Sequence, residues 1–173
     1  LKHLDPTLKY NREKKSEIKL SLFFKEESEY YKNRLQKNSI DFTIFLEDDF
    51  SISINRGKIV QIIDNLISNS EYWLIKLKGN DPNCKPSITI KIESPWIYFY
   101  DNGYGISPAI ENMLFEPFVT TKPKGEGRGL GLFIIQQLLD SSKCTIALEP
   151  FRNEHGRKYI FAINFSNIIN EYK

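Results

Sequence analysis

The chain has 173 residues, of which 40% are hydrophobic and 27% charged, and a formal net charge of +2. This is ordinary globular composition, long enough for a sizeable core, and the charge is too small to point to nucleic acid or a membrane surface as partner. Two cysteines, Cys84 and Cys144, make neither a disulfide framework nor a metal site, and no apolar run approaches the roughly 18–20 residues of a membrane span. We therefore expect a reducing, cytoplasmic setting. The segment starts at Leu1 with its single methionine at Met113. It reads as a piece of a longer protein, with room for a membrane anchor upstream.

Residues 1–38 read as a lead-in and 39–173 as the main domain. Leu1–Tyr10 has no clear period and contains Pro6; His3 there reads as a solvated terminal residue. Asn11–Lys37 lacks Gly and Pro, and Ile18, Leu22, Phe23, Tyr30 and Leu35 form a rough helical stripe. It is read either as a helix covering the core or as a linker helix to an upstream helical module. Ile40–Leu46 alternates and predicts a strand with Ile40, Phe42, Ile44 and Leu46 on one face. Glu47-Asp48-Asp49 reads as a turn, Phe50–Ile54 as a second strand, and Asn55-Arg56-Gly57 as a break.

Lys58 to about Leu77 is the strongest helix, with Ile59, Ile62, Ile63, Leu66, Ile67 and Leu74 at i, i+3, i+4 spacing. Asn65 and Asn69 share a face beside that stripe. Asparagine is a poor helix former, so two in five residues need a reason. Paired carboxamides can coordinate a hard cation or hold phosphate oxygens through water. Gly79–Pro86 is a loop. Ser87–Ile92 and Trp96–Tyr100 predict a hairpin around Ser94-Pro95 that delivers Asp101 to its end. Ser107–Leu114 predicts a short helix capped by Ser107 with Pro108 at its first position. Phe115–Arg128 is a long loop, Gly129–Asp140 a helix, and Cys144–Leu148 with Lys158–Phe165 the closing strands around a turn containing His155. Strands in antiparallel pairs between helices argue for α+β layers: a mixed, mostly antiparallel sheet with helices on one face.

Two glycine clusters carry the chemistry. Gly103 and Gly105 follow Asp101, and Gly125, Gly127, Gly129 and Gly131 run straight into a helix. Glycine lets backbone approach a ligand closely, and a glycine run opening a helix presents free N–H groups to an anion. The reading is a nucleotide pocket, with the base at Asp101 and the phosphates under the second cluster.

Asn65 with Asn69, Asp101-Asn-Gly-Tyr-Gly, Phe115-Glu-Pro-Phe and Gly127-Arg-Gly-Leu-Gly-Leu resemble, in order and spacing, the N, G1, F and G2 boxes of the GHKL ATP-binding superfamily. The spelling is nearest to histidine kinase catalytic domains, and the resemblance covers roughly Ile40–Phe165. It implies a two-layer Bergerat-type sandwich that binds ATP and Mg²⁺. By position, Asp101 would accept from the adenine amino group, and Gly103, Gly105 and Ile106 would turn beneath the base. Asn69 would hold the metal, with Asn65 assisting. Gly127, Gly129, Leu130, Gly131 and Leu132 would supply backbone to the phosphates. Phe118 and a lid from Thr120 and Thr121 through Lys122 and Lys124 to Arg128 would close over the nucleotide. Lys122, Lys124 or Arg128 would reach the γ-phosphate, and Tyr72 would stand near it.

Two departures matter. Hydrolytic members of the superfamily carry a glutamate four residues before the metal asparagine; Asn65 stands there and cannot take a proton. Asp64 and Glu71 point about 100° and 160° away on a helix. Many histidine kinases carry a lysine three residues after the metal asparagine; here it is Tyr72, followed by Trp73, read as core or pocket wall. The reading adopted is γ-phosphoryl transfer to a histidine outside the segment. That histidine would lie on an upstream helical dimerisation module of a homodimer serving a response regulator. An ATPase switch and a module that binds ATP without turnover stay open beside it.

Overall fold

The computed structural model describes residues 14–170; His3 and the lead-in Leu1–Tyr10 lie outside them. Seven strands and three α-helices follow in the order β1 (Ser16–Lys19), α1 (Leu20–Gln36), β2 (Asp41–Asp48), β3 (Ser51–Ile54), α2 (Arg56–Asn80), β4 (Ser87–Glu93), β5 (Trp96–Asp101), α3 (Gly131–Asp140), β6 (Thr145–Leu148) and β7 (Ile160–Asn164). The main sheet has the order β2-β4-β5-β7-β6. Only β2 and β4 run parallel; the other three pairings are antiparallel. The expected mixed, mostly antiparallel sheet is therefore present.

Alternation in β4 and β5 decides which face is covered. Ile88, Ile90, Ile92, Ile97 and Phe99 are buried, while Thr89, Lys91, Trp96 and Tyr98 between them are only half-buried. The buried face meets one apolar cluster that includes Ile59, Ile62, Ile63, Leu66 and Leu74 of α2 and Ile135, Leu138 and Leu139 of α3. Helix α2 starts where Asn55 accepts a hydrogen bond from Lys58 N. The tripeptide read as a break is thus a cap and a first turn. The helix runs on to Asn80, past the expected end.

Several local expectations are corrected. The predicted helix over 11–37 is divided. Ser16–Lys19 is a strand, pairing antiparallel with β3 in a separate two-stranded sheet, Ser16 opposite Ile54 and Lys19 opposite Ser51. The buried side of α1 is Leu20, Phe23, Phe24, Tyr31 and Leu35, whereas Leu22 and Tyr30 of the predicted stripe are exposed. Those buried residues share one core with the rest of the chain. β2 extends through Glu47 and Asp48, so the predicted turn is strand. A register shift between Leu46 and Asp48 accompanies the exposure of Leu46. β2 and β3 do not pair with each other: β2 lies parallel to β4, a crossover that α2 spans.

Ser107–Leu114 is not a regular helix. Its carbonyls at Ser107, Ile110 and Met113 each accept from the residue three ahead, giving turns and a 3-10 segment Glu111–Met113. Arg152 pins that segment through Glu111 at 2.8 Å. Helix α3 starts at Gly131, because Gly129 has a φ of +68° and cannot be helical.

Arg34 joins α1 to α2. Its guanidinium donates to Asp64 Oδ1 at 3.1 Å, Ser68 Oγ at 3.0 Å and Glu71 Oε1 at 3.0 Å. Arg34→Ala leaves the half-buried Glu71 carboxylate without its partner. It is expected to destabilise the fold by about 1–3 kcal/mol, read as a lower urea midpoint. Arg34→Lys should recover only part of this, since a point charge cannot span three acceptors.

Candidate functional site

The end of β5 meets the middle of α2 at Asp101. Its carboxylate accepts from Ser70 Oγ at 2.5 Å and from the backbone N–H of Gly103 at 2.9 Å. Burial pushes the carboxyl pKa up, and these two hydrogen bonds pull it part of the way back. The Gly103 turn has no room for a side chain: a Cβ there would lie 3.0 Å from Asp101 Oδ1 and 3.4 Å from Leu74. Gly105, at φ +89°, is tighter still, with Arg157 Cβ 2.8 Å and the Lys158 carbonyl 3.0 Å from any added Cβ. Asn153 braces the turn by donating to the Tyr104 carbonyl at 3.0 Å.

Asp101 lines a cleft of about 370 Å³. Asn65 and Asn69 of α2 line it from one side, and Thr120, Thr121, Lys122 and Arg128 from the loop that crosses it. Gly127, Gly129, Leu130, Gly131 and Leu132 form another wall; Gly103, Gly105 and Ile106 complete the end beside Asp101. Three separated segments thus converge on one cavity. Asn65 donates to the Gly131 carbonyl at 3.4 Å, linking α2 to the start of α3. The first turn of α3 has no side-chain cap, and a Cβ on Gly131 would meet open space. Free N–H groups and the positive end of the helix therefore face the cleft, a place for an anion.

The loop closes on itself at a backbone clasp. Phe118 N donates to the Gly129 carbonyl at 2.9 Å. A Cβ on Gly129 would lie 2.6 Å from Phe118 C and from Val119 N and O, so only glycine fits. Further out, Lys122 N donates to Thr120 Oγ1 at 3.0 Å, and Glu126 pairs with Lys76 at 3.5 Å and accepts from the Tyr72 hydroxyl.

Three of the expected residues do not line the cavity: Tyr72, Phe118 and Lys124. Tyr72 is engaged with Glu126, and Phe118, at φ +67°, has an exposed side chain. Trp73 forms part of the wall. Reasoning from the sequence missed Ser68, Ser70, Tyr104, Arg157 and Tyr159. Arg157 and Tyr159 arrive through the pairing of β5 with β7, Tyr100 opposite Ile160, which no local pattern announces. Ser70 adjoins Asn69 on a helix already marked, and that adjacency was the available signal.

The description "Histidine kinase-, DNA gyrase B-, and HSP90-like ATPase" matches residues 54–167, well over half of the chain. The sensor protein ChvG of Rhizobium meliloti (strain 1021) is 29% identical over 130 residues, 68% of this chain and 21% of that protein. The first three curated relatives are matched over only 9% to 25% of their own length. Among solved structures, the nucleotide-free catalytic domain of histidine kinase ThkA superposes with a TM-score of 0.66 at 25% identity, covering 89% of this chain and 97% of that one. ThkA in complex with the response regulator protein TrrA gives 0.63 at 24%, covering 92% and 45%, a likeness of fold. The chain belongs to the histidine kinase-, DNA gyrase B- and HSP90-like ATPase family.

Proposed function

We propose that the cleft binds Mg·ATP and that the chain is the catalytic domain of a protein-histidine kinase, passing the γ-phosphoryl group to a histidine outside this segment. The observation that carries this is the meeting, in one cavity, of a half-buried carboxylate at one end, an uncapped helix start and two carboxamides. Asp101 is an acceptor suited to the adenine amino group, where guanine would present an oxygen. The start of α3 takes phosphate oxygens on its free N–H groups.

The donor set fits magnesium carried by a nucleotide. Among the described residues no group of three or more His, Cys, Asp or Glu side chains could hold a metal ion. The Asn69 carboxamide would supply one oxygen to Mg²⁺, an ion that commonly keeps waters and phosphate oxygens as its other ligands. When bound, the metal neutralises charge on the phosphates and fixes their geometry. The cations of the crossing loop, Lys122 and Arg128, add to that neutralisation at the terminal phosphate. The acceptor imidazole nitrogen forms the new P–N bond in line as the bond to the β-phosphate oxygen breaks and ADP leaves with that electron pair.

Transfer is favoured over hydrolysis by what surrounds α2. Asn65 cannot accept a proton, and it is turned to Gly131. The nearby carboxylates of Asp64 and Glu71 are both tied to Arg34 on another face. Neither carboxylate of α2 lines the cleft, so neither is placed to take a proton from a water there. The acceptor histidine would come from a helical dimerisation module, and a response regulator would receive the phosphoryl group next.

Asp101→Asn tests the base end. It should weaken ATP binding by about 1.5–3 kcal/mol, read by calorimetry. The same variant should be at least as stable without nucleotide. A carboxyl whose pKa is raised by folding holds its proton more tightly when folded, so its burial costs stability above that pKa. The gain over the unaltered chain should be present at neutral pH and shrink as the pH falls through the raised pKa, measured as urea midpoints. Asn69→Ala tests the metal end: phosphotransfer from labelled ATP to a histidine-bearing helical partner should fall by about two orders of magnitude. Absence of acid-labile phosphohistidine with the unaltered chain would overturn the kinase reading.

A further inference from the structure

Where α2 lines the cleft it presents the carboxamides of Asn65 and Asn69, and its nearest cation in register, Lys76, lies beyond the lining and is paired with Glu126. The next residue in register after Asn69 is Tyr72. A triphosphate needs positive charge near its end, and the structure brings it from the crossing loop. The Lys122 ammonium stands 4.3 Å from the centre of the Tyr72 ring. Lys122 lines the cleft; Tyr72 stands behind it. The Tyr72 hydroxyl donates to Glu126 of the same loop, and Lys76, one turn further along α2, holds that carboxylate at 3.5 Å. Both ends of the segment 122–126 are therefore fastened to α2 around one tyrosine.

The choice of a neutral ring has a consequence. A carboxylate under Lys122 would cancel its charge and compete with phosphate for it. An aromatic face attracts the ammonium while leaving its N–H groups free to donate elsewhere. Burial also lowers the Lys122 pKa, and the nearby Glu126 carboxylate offsets part of that shift.

We infer that Tyr72 is a positioning residue for phosphoryl transfer: it fastens the lid to α2 through Glu126 and holds the Lys122 ammonium beside the terminal phosphate of a nucleotide whose metal sits at Asn69. This rests on the Mg·ATP reading above. Lys122 supplies the charge, and Tyr72 acts only through it.

Calorimetric titration of the chain with Mg·ATP and with Mg·ADP tests the inference. Tyr72→Ala and Lys122→Ala should each lower the preference for ATP over ADP by about tenfold, the loss of one charge-assisted contact to the terminal phosphate. ADP affinity should stay near that of the unaltered chain, which also reports an intact fold. The double variant should lose no more than either single one, because the two residues act as a unit. Tyr72→Lys combined with Lys122→Ala should restore the preference by placing a cation on the helix itself. Losses that multiply in the double variant, equal weakening of ATP and ADP, an unmoved ratio, or failure of the Tyr72→Lys rescue would each overturn it. If the unaltered chain bound no Mg·ATP, the nucleotide reading itself would fall. Normal, Asp101-dependent binding with an unmoved ratio would remove this inference alone.

Discussion

The short hydrogen bond from Ser70 to Asp101 ties the middle of α2 to the end of β5, and the rest of the cleft is built around that joint. A carboxylate placed there is held at a cost, because burial disfavours its charged form. The Ser70 hydroxyl and the Gly103 N–H offset part of that cost and fix both oxygens in direction. A packed apolar residue would serve stability better at this point. On the proposed reading, the chain keeps instead a group whose value would lie in accepting a hydrogen bond from the nucleotide base, an exchange of stability for binding.

What could be read in the sequence was whatever a local pattern encodes. The apolar stripe of α2, the hairpin of β4 and β5, and the glycine clusters around Asp101 and Gly129 each declare themselves within about 20 residues, as periodicity or turn chemistry does. Pairing partners were not legible. Ser16–Lys19 looks helical beside the charged run that follows it, and becomes a strand because β3 offers it a ladder 35 residues on, Lys19 opposite Ser51 at one end and Ser16 opposite Ile54 at the other. The parallel alignment of β2 with β4 was hidden for the same reason. In the site, most of the residues singled out within the four motifs line the cleft, Phe118 excepted, while Tyr104 and those supplied by tertiary packing, such as Arg157 and Tyr159, were not singled out. The family resemblance placed Tyr72 near the phosphates; its partners in the fold, Glu126 and Lys122, belong to a loop whose path no local pattern predicts.

Helix α2 divides its circumference among separate tasks, and the division follows from 3.6 residues per turn. Ile59, Ile62, Ile63, Leu66 and Leu74 face the core. Asp64, Ser68 and Glu71, at i, i+4 and i+7, form a second stripe that Arg34 clamps to α1. Asn65, Asn69, Tyr72 and Lys76, at i, i+4, i+7 and i+11, form a third, turned to the cleft at one end and to the crossing loop at the other. The second stripe sets the rotation of the third. A small roll of the helix would break the bonds to Arg34 before it moved Asn69 out of the cleft. The same clamp removes two carboxylates from reach of the phosphates, where they would repel the nucleotide.

The crossing loop is fastened in two different ways, and the difference bears on how it responds to a ligand. At its neck, Phe118, Val119 and Gly129 meet backbone to backbone, a contact that tolerates any neighbour but requires glycine at Gly129. At its tip, only polar side chains hold it: Tyr72 and Lys76 on Glu126, and Lys122 over a ring. Exposed polar contacts of this kind contribute little and are screened by salt. The neck therefore sets where the loop sits, while the tip is held weakly enough for a highly charged ligand to decide its position. On the proposed Mg·ATP reading, a triphosphate would add charge beside Lys122 and favour the tip against α2, and loss of the terminal phosphate would leave only the side-chain contacts.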